Sequence, residues 1–113
     1  MEEKQKVRRV KTLRQEEWRN GCALIVLVEY KGRKFKVIFE NSNGDPLGFD
    51  YKHCIDVLDS SSGTWKHVAD RQEIVGLMKS APDFCEYGRG AYLTTNGAWD
   101  FIKACEEYIK LVY

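Results

Sequence analysis

Two histidines, four cysteines and scattered carboxylates are the side chains of this 113-residue sequence that could do chemistry. A cysteine nucleophile needs a base within hydrogen-bond reach and surroundings that lower its pKa. Cys54 adjoins His53, but neighbours on a strand point to opposite faces, so that pair cannot work together. Cys85 lies in a loop and meets a histidine only if the fold brings one to it. Neither His53 nor His67 has the H-x-x-x-H spacing that puts two imidazoles on one helical face for zinc. Alternation also divides Asp50, His53, Asp56 and Asp59 between two faces. Cys22, Cys54, Cys85 and Cys105 lie 32, 31 and 20 positions apart, so no C-x-x-C pair exists. Free thiols are expected, with Cys22 and Cys105 acting as small core hydrophobes. No metal ligand and no cofactor is assigned.

Other catalytic signatures are equally thin. Glu29-Tyr30-Lys31 matches the acidic-x-Lys step of metal-dependent nucleases, but the only acids shortly upstream, Glu16 and Glu17, fall in an expected helix. Gly88-Arg89-Gly90 is a G-x-G without the third glycine, and no strand leads into it as a phosphate-cradling loop demands. There is no G-x-S-x-G elbow. No catalytic residue is assigned, and an enzyme would need a site assembled from distant positions.

Charge is more informative. The net charge is +1, yet residues 1–36 carry 11 Lys/Arg against 5 Asp/Glu, while residues 37–113 carry 7 against 12. Lys6, Arg8, Arg9, Lys11 and Arg14 form one basic segment, and Tyr30, Lys31, Arg33, Lys34 and Lys36 form a second with an aromatic beside the cations. Such segments bind phosphates while an exposed ring stacks on a base. The alternative is that basic and acidic segments lie side by side and neutralise each other. Trp18, Trp65, Tyr87 and Trp99 are candidate anchors for a protein partner, since surface aromatics often anchor interfaces.

The elements that must position these groups are legible in part. Cys22 to Val28 is an unbroken apolar run, the pattern of a strand buried on both faces. Phe35, Val37 and Phe39 then alternate with polar residues, so 22–40 reads as a central β-hairpin with a basic tip. A turn at Asn41–Pro46 leads to a strand over 49–58, and 64–68 offers a short further strand around Trp65. Residues 1–11 read as a basic arm or edge strand. Thr12 and Gln15 form a capping-box pattern that predicts a short helix over 13–19, with Leu13 and Trp18 covering a sheet edge. Asp70 and Glu73 form a second capping pattern, opening a helix near 70–80. Residues 83–90 read as a loop and 91–94 as a last short strand. A terminal helix near 96–112 has Ala98, Phe101, Ile102, Cys105, Tyr108, Ile109 and Val112 on one face.

Tyr92 to Ile102 resembles the wing-to-helix tail of winged-helix DNA-binding proteins, where an "LT-x-x-G" step precedes the last helix. The likeness covers 11 of the 113 residues. A meander stands where that family has its helix-turn-helix, and a capped helix start explains the same residues.

The expectation is a single α+β domain over 1–113, with a mainly antiparallel sheet and two helices packed on it. No run reaches the length of a membrane span, and the charged N-terminus lacks a signal peptide's apolar core, so an intracellular address is expected. For function, a non-catalytic adaptor or inhibitor that binds another protein comes first, and a nucleic-acid-binding module second. The oligomeric state is open.

Overall fold

The computed structural model describes residues 6–18, 21–42, 51–70, 73–74 and 95–113. Five strands, β1 (Arg8–Trp18), β2 (Gly21–Tyr30), β3 (Arg33–Ser42), β4 (Tyr51–Asp59) and β5 (Thr64–Asp70), precede one helix, α1 (Thr95–Val112). The strands pair in sequence order as one antiparallel meander.

The central hairpin forms as its sequence demands. β2 and β3 pair without a register break from Gly21↔Ser42 to Tyr30↔Arg33. The two-residue tip places Lys31 at φ 51° and Gly32 at φ 77°. Two positive φ values in a two-residue loop make the type I′ turn, whose twist matches that of the strands it joins. The β4–β5 turn is built differently. The Asp59 carboxylate accepts from the Ser61 amide and hydroxyl at 3.0 and 2.7 Å. The Gly63 amide closes the turn on the Asp59 carbonyl at 2.7 Å, with Gly63 at φ 72°.

Alternation sorts the sheet into two faces. Val28, Val26 and Leu24 of β2, Phe35, Val37 and Phe39 of β3, and Ile55 of β4 face α1 and are buried. Ala98, Phe101, Ile102, Cys105, Tyr108 and Ile109 of α1 close this core from above. Val112, expected on the same stripe, is instead 50% exposed, and Tyr113 reaches the core by setting its ring edge-on to Phe35 at 4.9 Å. His53 is a buried member of the helix-facing layer, stacked on Phe39 at 4.4 Å and tilted against Phe101. Cys54 lies on the opposite face, as alternation requires.

The helix expected over 13–19 is not formed through Trp18: β1 runs from Arg8 to Trp18 as an edge strand, and Arg19 lies outside the described residues. The register slips between Arg9 and Lys11 and again between Thr12 and Arg14, so Val10 and Leu13 are bulged residues without a partner across the ladder. The bulges space one face at Arg9, Thr12 and Gln15 and the other at Arg8, Lys11 and Arg14. That three-residue step imitates a helix, which is why Thr12 and Gln15 read as a cap.

The sheet exceeds the expected meander, and β5 extends to Asp70. At its end Asp70 and Glu73 make the reciprocal cap: the Asp70 carboxylate accepts from the Glu73 amide at 3.2 Å, and the Glu73 carboxylate accepts from the Asp70 amide at 3.4 Å. Glu73 and Ile74 are helical, and Ile74 joins the core. The rest of the helix expected near 70–80, the loop at 83–90 and the strand at 91–94 lie outside the described residues. Among the described residues α1 is the one complete helix on the sheet, and none is long and apolar enough to cross a membrane.

Candidate interaction surface

The basic residues of the N-terminal third are largely occupied by their own molecule. Arg8 pairs with Glu29 across β1–β2 at 3.0 Å. Arg9 grips Glu106 of α1 with two hydrogen bonds of 2.8 and 2.9 Å, and its guanidinium lies 4.8 Å over the Trp99 ring. That fork fixes β1 to the helix, and planar two-point geometry is the form of ion pair with the most to contribute. Arg14 meets Glu16 at 2.6 Å and Glu40 at 3.5 Å. At the hairpin tip, Lys31 donates to the Tyr113 carbonyl at 3.2 Å, and Arg33 lies 5.4 Å over the Tyr113 ring. Lys36 covers Trp65 at 4.4 Å. Lys6, Lys11 and Lys34 are exposed and form no ion pair with any described residue. Three of these nine cations, Arg8, Arg9 and Arg14, are thus paired with carboxylates of the same chain.

The aromatics divide similarly. Tyr30, expected to be exposed for stacking, is only 6% exposed and belongs to the core. Its position at the strand end put it on the helix-facing side, where α1 covers it. Trp65 and Trp99 are half-buried beneath Lys36 and Arg9, so neither offers a free ring. Tyr87 lies outside the described residues. Trp18 keeps its exposure, at 40%.

What remains is β1. All eleven of its residues are exposed, and its place at the end of the strand order leaves its outer edge unpaired by any described strand. Val10 and Leu13, pushed out by the bulges, are 40% and 44% exposed. With Trp18 they make three apolar side chains on one open edge, flanked by cations at the start and by Glu16 and Glu17 at the end. Edge amides and carbonyls are a template for an incoming strand, and bulges and charges are the usual guards against indiscriminate pairing.

Among the described residues no thiol is an activated nucleophile. Cys22, Cys54 and Cys105 are buried. Burial pushes Cys22 and Cys54 up to about 11, with nearby Glu17 and Asp56 adding to it, and burial likewise raises Cys105 well above its ordinary value. The Asp59 carboxyl is held well below its usual range by the Ser61 hydroxyl, with Lys66 3.0 Å away assisting. This is turn chemistry.

On the face of the sheet turned away from α1, β4 and β5 gather a donor group that alternation along one strand does not assemble. Cys54, Asp56 and His67 present atoms within 4.8 Å of one another, and so do His67, Asp70 and Glu73. The set first considered, Asp50, His53, Asp56 and Asp59, does not come together: His53 faces the core, Asp59 serves its turn, and Asp50 is outside the described residues. The available signal was Cys54-x-Asp56 on one face of a strand. His67 follows from the register of the β4–β5 turn, but Asp70 depends on a bulge in β5 that the sequence does not announce.

Comparison of the chain with protein families, characterised proteins and solved structures finds no match in any of the three.

Proposed function

We propose that this chain is a non-catalytic binding module that captures a protein partner along the β1 edge. The observation that carries the reading is an eleven-residue edge strand, exposed throughout, with Val10, Leu13 and Trp18 at its surface. Strand addition supplies affinity through main-chain hydrogen bonds and specificity through side chains, and both are on offer here. The basic segments favour this over polyanion binding, because Arg8, Arg9 and Arg14 are already paired with carboxylates of the same chain.

The test sets the two classes against each other. Labelled DNA and RNA are titrated with the protein over a salt series, in parallel with partner enrichment by wild type and by a Leu13→Asp/Trp18→Ala variant. We expect nucleic-acid binding no tighter than about 10⁻⁴ M at physiological salt, the weak end of the non-specific range. A specific protein should be retained by wild type and lost by the variant. Micromolar nucleic-acid binding that falls steeply with salt, and disappears when Arg8, Arg9, Lys31 and Arg33 become Ala, would overturn the reading.

A further inference from the structure

We propose that the face of β4–β5 turned away from α1 binds a transition-metal ion of the zinc class through Cys54, Asp56 and His67, with Asp70 beside them as a fourth donor.

The sheet register builds this group. Asp56 stands opposite His67, and Cys54 stands opposite Asp70, on successive rungs of the same face, with the Ile55–Ala69 rung between them pointing the other way. Continued unbroken from the turn, the register would set Ala69 against Cys54. The slip between Ile55 and Asp56 makes Val68 the extra residue and advances β5 by one, so that Asp70 takes that place. The same slip keeps Ala69 in the core opposite Ile55. One bulge therefore satisfies the core and delivers a donor to the other face.

The distances suit a small tetrahedral ion. Two nitrogen or oxygen ligands of zinc stand about 3.3 Å apart, and a sulfur and a nitrogen about 3.6 Å. His67 Nδ1 already lies 3.7 Å from Asp56 Oδ1. All three donor atoms of the group fall within 4.8 Å, so modest side-chain rotation brings them into range. Asp70 uses Oδ1 in its cap with Glu73, which leaves Oδ2 outside the cap.

Donor chemistry selects the ion. A thiol, an imidazole and carboxylates together match zinc and its neighbours, whereas magnesium and calcium take oxygen alone. Cys54 is 5% exposed and gives the site a dry floor, while His67 is exposed on the edge strand and gives it an entrance. Binding replaces the Cys54 S–H proton by the metal and releases that proton to solvent. The ion would tie β5 to β4 beside the bulge, where the ladder is interrupted.

Cobalt(II) added to the full chain is the direct probe, because a cobalt–thiolate bond gives a near-ultraviolet charge-transfer band. We expect that band at one equivalent, its displacement by zinc, and a rise in melting temperature with zinc. Cys54→Ser should abolish the band. His67→Gln and Asp56→Asn, which alter exposed and half-buried side chains, should each weaken zinc binding at least about tenfold, the scale on which even outer partners of a metal act. These two variants keep the test decisive if Cys54→Ser fails to fold. Absence of a thiolate band in wild type, its persistence in Cys54→Ser, or unchanged zinc affinity in both other variants would overturn the proposal.

Discussion

A buried thiol keeps its proton because its thiolate would lose water and gain nothing in return. Cys22 and Cys54 hold theirs up to about 11, against an ordinary 9.0. An unfolded chain ionises these groups first, so their contribution to stability is complete only below that ordinary value of 9.0. It falls as pH rises from there towards 11. Peptide mapping after alkylation should find Cys22, Cys54 and Cys105 unmodified in the metal-free native protein at neutral pH and modified once it is denatured. Rapid native labelling of any of them would contradict the burial. The core role of Cys22 and Cys105 was legible from the sequence, since each sits in an apolar pattern. The neutralisation of Arg9 was not, because its partner Glu106 lies 97 residues away.

At the scale of the element, the hairpin tip rests on backbone conformation. A Cβ on Gly32 would meet nothing within 4 Å, so any penalty there comes from φ 77° rather than from a clash. Gly32→Ala should cost about 1 kcal/mol in urea unfolding. Lys31→Asn should stabilise by roughly 0.5 kcal/mol, because asparagine tolerates the positive φ better. The strands most readable in sequence were those with a buried face: β2, β3 and β4 show it as runs or alternation. β1 buries almost nothing, and its two bulges replace the step of two by a step of three. Its strong helix formers, Leu13, Arg14, Gln15, Glu16 and Glu17, completed the imitation. Tertiary pairing with β2 decided the matter, as it routinely overrides propensity. The bulge in β5 hid the Cys54–Asp70 juxtaposition for a related reason: register is a property of two strands, and neither sequence alone records it.

The whole molecule is asymmetric. One face of the sheet is sealed by α1, and the β1 edge is unpaired by any described strand. Part of the uneven charge of the chain is balanced in that arrangement, since Arg8, Arg9 and Arg14 lie against acidic groups of β2, α1 and β3. Composition could show the imbalance but not where it ends up. The most direct test of the open edge is a photo-cross-linking residue placed singly at Val10, Leu13 and Trp18, with Lys52 and Lys103 as controls elsewhere on the surface. Illumination in native extract should give adducts to one common protein from the three β1 positions and none from the controls. Adducts from the control positions alone, or none from β1, would contradict the assignment of that edge as the binding surface.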